Sequence, residues 1–274
     1  MLDRRRLTNT VMTSLTAACA FSVVGILAII LGYIAFQGIS SLNWEFLIET
    51  PKPVGEGGGI GNAIVGSLIL LALASVIGIP FGVAVGTFLS EFGDGWFGSI
   101  VRFVADTMIG IPSIVFGVFV YALVVLRQGY FSTLAGSLAL ALIMIPIVSR
   151  TTEEMVRLVP TAMREGALAL GAPRWRVTTD IVLPAARAGI ATGAMLAVAR
   201  VLGETAPLLF TAFGSRFYNF YLDEPMASLT VQIYNYAISP FDEWHEKAWA
   251  ATLVLLAMIL GINIAVRFFT RKRF

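Results

Sequence analysis

The sequence predicts an all-α integral membrane protein with six transmembrane helices. Two observations carry that reading. Of 274 residues, 57% are hydrophobic and only 13% are charged, with a mean hydropathy of +0.83. A soluble domain carries roughly 25% charged residues, so a chain this apolar finds its solvent in lipid. The apolar residues also fall into six runs near the length of about 20 residues that a membrane-spanning helix needs. Together these exclude a soluble enzyme and a disordered chain. A net charge of +2 is too small for a phosphate-tracking nucleic-acid surface. One cysteine, Cys19, and one histidine, His245, exclude a disulfide framework, a thiolate metal site and a multi-histidine centre.

The expected spans are residues 13–36, 61–89, 99–126, 132–148, 188–213 and 248–269. They belong to a single permease-like domain, 13–269, with tails at 1–12 and 270–274. The first span follows Arg4, Arg5 and Arg6 as a signal peptide would. Its apolar core is too long for that, and no small-residue cleavage pattern follows before Gln37, so it reads as a retained helix. Gly78-Ile79-Pro80 interrupts the second span and Gly110-Ile111-Pro112 the third, and cutting either in two gives a different count. Pro80, Pro112, Pro146 and Pro207 each remove a backbone donor and kink their helices. They either line a path or are simply tolerated in lipid.

Orientation follows from lysine and arginine. Fourteen lie on the side of both termini, four (Lys52, Arg127, Arg216 and Lys247) lie on the other, and Arg200 lies within a span. The excess puts both termini in the cytoplasm. The outer loops carry eight acids and an aromatic cluster from Phe217 to Trp244. A short helix is expected there from Pro225 and Met226 to Ala237. His245 reads as a wet interfacial residue.

The cytoplasmic connection 149–187 is long and patterned. Thr161 to Gly171 is a helix-forming run that ends at glycine. Pro173 opens a second run that stops at Ile181, before Leu183-Pro184. Leu168, Trp175, Val177 and Ile181 offer apolar surface, and Arg164, Arg174, Arg176 and Asp180 keep it wet. Such a protrusion either docks into a groove on another protein or caps its own bundle.

Arg200 is the most informative charge. At the bilayer centre it costs at least about 2.5–3.5 kcal/mol, and Glu204 lies one turn on along the same face. The pair either lines a path or fixes helix packing. Arg150 and Glu153 mark the inner end of the fourth span. Arg102 and Asp106 repeat the four-residue spacing and read as a structural pair. Thr205 and Ser113 either add hydroxyl donors to a path or bond back to their own helices.

Glu165-Gly166-Ala167, three residues, Gly171, nine residues, Ile181, one residue, Leu183-Pro184 resembles the EAA motif of permease subunits in ABC import systems. Gly166 departs from the usual alanine, loosening the helix by about 1 kcal/mol. Residues 58–66, 110–117, Arg150-Thr-Thr-Glu153 and 200–210 narrow the resemblance. Nearly the whole chain beyond the first span resembles the PstA-type permeases of phosphate-specific ABC transporters. The resemblance implies a type I importer permease fold, MetI-like, with a cytoplasmic coupling helix. It implies that Glu165, Gly166, Ala167, Gly171, Ile181, Leu183 and Pro184 serve ATPase coupling. By the same resemblance Arg200, Glu204, Arg150, Glu153 and Thr205 belong to the substrate path, where Arg200 offers its planar fork to phosphate oxygens. The implied partners are a homologous second permease (PstC type), a cytoplasmic ATPase dimer (PstB type) and a periplasmic or lipid-anchored phosphate-binding protein (PstS type). The implied location is a bacterial inner membrane.

The three lysines, Lys52, Lys247 and Lys272, lie outside any glycine-rich phosphate-binding loop. ATP and Mg2+ are therefore expected on the partner ATPase, with no cofactor or metal on this chain and no catalysis of its own. The nearest alternative carries another oxyanion, such as molybdate, sulfate or phosphonate. A membrane-embedded enzyme would need a metal motif, a serine–histidine pair or paired aspartates in its spans. A purely structural or signalling subunit leaves the EAA-like spacing unexplained.

Overall fold

The computed structural model describes residues 2–271. Met1 and residues 272–274 lie outside the described residues, and with them Lys272 and Arg273 of the basic count. The described chain is helical throughout: α1 (Leu2–Gly38), α2 (Trp44–Ile48), α3 (Gly61–Glu91), α4 (Trp96–Gly110), α5 (Ser113–Gln128), α6 (Thr133–Arg157), α7 (Thr161–Ala169), α8 (Arg174–Leu202), α9 (Ala206–Thr211), α10 (Leu229–Ala237) and α11 (Asp242–Arg271). Five of these are long and apolar enough to cross a membrane alone. α4 and α5, bent by 105° at their junction, are long and apolar enough for a sixth only when taken together as one broken span. The bend sits where Pro112 cannot donate and forces Ile111 into an extended conformation (ψ 133°).

The structure moves several expected boundaries. Pro80 and Pro146 lie inside unbroken helices, while the breaks fall before Pro112 and Pro207. The span expected at 188–213 ends at Leu202 and restarts as α9, after a break over Gly203–Thr205. The expected stop before Leu183-Pro184 is absent. There the chain runs through a π turn, Val177–Val182, directly into the long part of α8, so Pro184 lies within a continuous helix just after the widened ladder. The connection expected at 149–187 shrinks to about residues 158–173, because α6 continues to Arg157. The outer short helix begins at Leu229 rather than at the proline.

The bundle has a basic end, holding the chain start, the α6–α8 connection and the end of α11. Its acidic end holds α2, α9 and α10. α6 is its axis. Two thirds of the apolar stretch of α6 is buried, against none for α1, which packs chiefly through its C-terminal end on α11. The N-terminal donors of α6 are met by Ser132, whose Oγ accepts from Ala135 N, and by the carbonyls of Leu222 and Glu224.

α3 and α6 run parallel and unusually close. A Cβ on Gly78 would meet Met144, one on Gly82 would meet Val148 at 2.6 Å, and one on Gly86 would meet Ser149 O at 2.4 Å and Thr152. Glycines four apart thus face side chains four apart, the small-residue packing that lets helices associate in lipid without a hydrophobic driving force. α8 crosses the opposite side of α6 in antiparallel register, with Gly193 against Thr151 and Gly189 against Met155.

Two substitutions separate required from permitted glycine. Gly82→Val overpacks the α3–α6 seam and is expected to cost about 1–3 kcal/mol, read as a lower unfolding midpoint in detergent. Gly166→Ala on α7 meets nothing within 4 Å and is expected to gain about 1 kcal/mol of helix stability, raising or leaving unchanged the same midpoint.

Candidate functional site

Three groups of residues carry the candidate chemistry, at different heights of the bundle. The antiparallel register of α6 and α8, extended seven residues, puts Arg200 level with Met144 and hence with Gly78. Gly78 lies about 26 Å along α3 from Gly61 and about 20 Å from Glu91, by helix rise. Arg200 is therefore near mid-height.

Arg200 lies in the last turn of α8, on a stripe with Thr192 and Leu196 that no other part of the chain covers. Its side chain is 45% exposed, whereas that of Glu204 is 15% exposed. Nε stands 3.8 Å from Glu204 Oε1, a loose ion pair spanning the break at Gly203 rather than a turn of continuous helix. Among the described residues the guanidinium has no other ion pair. Glu204 is fixed through its backbone, since its carbonyl accepts from Thr230 Oγ1 at 2.9 Å. Thr205 is the N-cap of α9, and its side chain makes no capping bond.

Arg150 and Glu153 lie elsewhere. They face α4, not α8, and stand about 9 and 14 Å nearer the basic end than Arg200, by helix rise. Glu153 is 1% exposed. Oε1 accepts from Arg102 Nε at 2.6 Å and pairs with Arg157 at 2.8 Å, and Oε2 accepts from Arg150 at 2.9 Å. Arg102 also donates to the carbonyls of Leu89 and Gly93, and Arg150 pairs with Asp106 at 2.9 Å. The expected Arg102–Asp106 pair is thus replaced by two bridges between helices. The buried carboxylate outcompetes the exposed aspartate for Arg102, because unmet charge is most costly where water is absent. Sequence spacing along one helix gives no sign of a partner on another.

The EAA-like residues divide by face. Ala167 is buried, and Ile181 and Leu183 pack beside it against Val156, Val177 and Val182. Glu165, Gly166, Gly171 and Pro184 are exposed, as are Met163, Leu168 and Trp175, while Leu170 is 91% exposed. Gly171 takes φ +84°, with its N–H on Leu168 O and that of Ala172 on Ala167 O. This paired closure needs a left-handed residue and is why glycine ends the helix. Arg164, expected in solvent, is mostly buried. It donates to Glu91 Oε1 at 2.8 Å and to the carbonyls of Val156 and Val159, tying α7 to the end of α3.

Residues 78–274 match the family described as binding-protein-dependent transport system inner membrane component. A Pasteurella multocida protein described as phosphate transport system permease protein PstA is 44% identical over 267 residues, covering 97% of this chain and 95% of that one. A Mycobacterium leprae protein of the same description is 36% identical, with 98% and 92% covered. Among solved structures, a bacterial alginate ABC transporter in complex with its periplasmic protein aligns with TM-score 0.69 at 15% identity, covering 94% of each chain. The inward-facing MetNI methionine ABC transporter aligns with TM-score 0.63 at 18% identity, covering 78% of this chain and 96% of that one. At these identities the structural likeness speaks for the fold.

Glu153→Gln removes the charge that three arginines share at the basic end. It is expected to destabilise the chain by about 3 kcal/mol, seen as a thermal midpoint lowered on the order of 10 °C in detergent.

Proposed function

The chain belongs to the phosphate transport permeases of the PstA type, within the binding-protein-dependent inner membrane components, and from that premise we propose how it handles its ion. It is the permease subunit of a phosphate ABC import system, a multi-pass inner membrane protein without catalysis of its own. It works with an ATPase and a binding protein. In our reading these are PstB-type and PstS-type proteins, and a PstC-type permease completes the path. ATP and Mg2+ reside on the ATPase. The basic end, with both termini, faces the cytoplasm, because twelve of the fifteen described arginines gather there.

The observation that carries the path assignment is Arg200. A guanidinium near mid-height with most of its donors unpaired is too costly in hydrocarbon to sit idle. Its stripe on α8 faces away from the rest of the chain, so this subunit supplies one wall and the second permease the other. Phosphate oxygens accept from the planar fork of Arg200, with Thr205 Oγ1 a further donor nearby. Glu204 stays close enough to limit the attraction, which lets the ion leave. Arg150 and Glu153 lie off that stripe; in this reading they border the cytoplasmic exit from the α4 side, where Arg150, 30% exposed, attracts the departing anion and buried Glu153 holds the arginines in place.

Coupling runs through α7. The exposed Met163, Leu168 and Leu170, with Glu165, Gly166 and Gly171, meet the ATPase. Ala167, Ile181 and Leu183 transmit its movement into the packed base of α8, and Arg164–Glu91 carries it to α3. Closing of the ATPase dimer on ATP then rocks α7, α3 and α8 together and turns the Arg200 stripe outward.

The complex, reconstituted in lipid with its partners, is expected to raise ATP hydrolysis with phosphate-loaded binding protein and not with sulfate- or molybdate-loaded protein. Stimulation by another anion would move the substrate and keep the fold. Arg200→Gln is expected to lower phosphate uptake at least about tenfold at normal assembly, and undiminished uptake would remove Arg200 from the path.

A further inference from the structure

At the acidic end a cavity of about 630 Å³ opens between the 51–54 turn, residues 213–216 and α10. Its charge is unlike its surroundings. The outer segments carry eight acids against four bases, yet no aspartate or glutamate is among the described residues that line it. Its charged groups are Arg216 and Lys52. Lys52 is held by Glu49 at 2.7 Å, which keeps its ammonium protonated. Arg216 is exposed and has no ion pair among the described residues. Lys247, by contrast, is spent on Glu243 and the carbonyl of Gly57.

The remaining polar lining is uncharged: Gln232, Asn235, Ser228 and Trp244. Gln232 is half-buried and Asn235 exposed, so both amides are accessible from the space, whereas Ser228 Oγ and Trp244 Nε1 are sealed off from it. Tyr236, also in the wall, stays neutral, its ionisation pushed up to about 12 by burial. The floor leads inward. Two residues beyond Ser228, Thr230 holds the backbone of Glu204, beside Arg200. A lone cationic fork in an acidic face focuses anions onto that spot.

We propose that this cavity is an anion vestibule, in which Arg216 and the uncharged donors around it receive phosphate before it reaches Arg200. This rests on the reading of the chain as the phosphate permease subunit with its acidic end outside. At about 30 Å³ per water molecule, the space admits an oxyanion that still keeps much of its hydration. The vestibule is thus a waiting position and not a tight site. Having no carboxylate to accept the proton of hydrogen phosphate, it does not tell phosphate from sulfate by charge, and selection falls to the binding protein and the path below.

The test uses the full complex in proteoliposomes with its binding protein. Arg216→Ala and Arg216→Lys are compared by phosphate uptake at saturating binding protein and by the binding-protein concentration that half-maximally stimulates ATP hydrolysis. Arg216→Ala is expected to lower uptake about tenfold with that concentration unchanged, so that more ATP is consumed per ion. Arg216→Lys is expected to recover most of the uptake. Unchanged uptake in Arg216→Ala overturns the vestibule. So does a raised half-stimulating concentration with full uptake at saturation, which would instead seat an acidic surface of the binding protein in the cavity. A failure of the underlying reading would be visible separately, as absent phosphate uptake by the unsubstituted complex.

Discussion

The bundle depends on how closely α3 approaches α6. Lipid tails are as apolar as leucine, so helices gain little by hiding apolar surface from them, and close backbone packing must hold the bundle together. Gly78, Gly82 and Gly86 provide that approach on one side of α6, and Gly189 and Gly193 provide it on the other. The charge cluster follows from the same geometry. With α3 drawn tight, Leu89 and Gly93 present their carbonyls to Arg102, which also reaches the carboxylate of Glu153. One buried acid then joins α3, α4 and α6 at the basic end. A single unmatched glutamate there would be untenable, and three arginines make it a joint.

That joint continues into α7. Arg164 binds the last turn of α3 through Glu91, and the last turn of α6 and the chain just after it through the carbonyls of Val156 and Val159. Ala167 and its neighbours close an apolar contact with the start of α8. α7 is small and exposed on its far side, yet it is fastened to three spans. The unbroken run of α8 from Arg174 to Leu202 is a single rod with α7 packed at one end and Arg200 near the other. The π turn at Val177–Val182 is the place in that rod where the helical ladder is loosened.

Much of this was legible in the residues. Composition and run length require membrane helices, and Gly110-Ile111-Pro112 marks the sharp bend. Gly171 marks the end of α7 through its left-handed backbone. Other features were hidden for physical reasons. Pro146 and Pro80 look as disruptive as Pro112, but their helices continue through them. Leu183-Pro184 looks like a stop, yet the helix continues through it, directly after the π turn that loosens the ladder. Arg102 and Asp106 satisfy a spacing rule that tertiary contact overrides, and Arg164 looks solvated until the end of α3 is known to lie beside it. The break at Gly203 is equally invisible, because apolar residues continue through it. The outer cavity draws on residues from four separated stretches of chain, so no local pattern announces Arg216.

The loose Arg200–Glu204 pair has an electrical consequence. In the proposed path the opposite charges of the pair largely offset each other, so the anion meets little net attraction at mid-height. The ion carries its own charge across whatever fixed groups line its way, and a negative cell interior opposes that movement by about 2.3 kcal/mol per elementary charge for each 100 mV. A second arginine in place of Glu204 would ease the ion's entry but would hold it against release, and the electrical work would be the same. Import of the anion is therefore uphill in voltage as well as in concentration. Such a passage cannot run on the membrane potential and has to be driven by nucleotide.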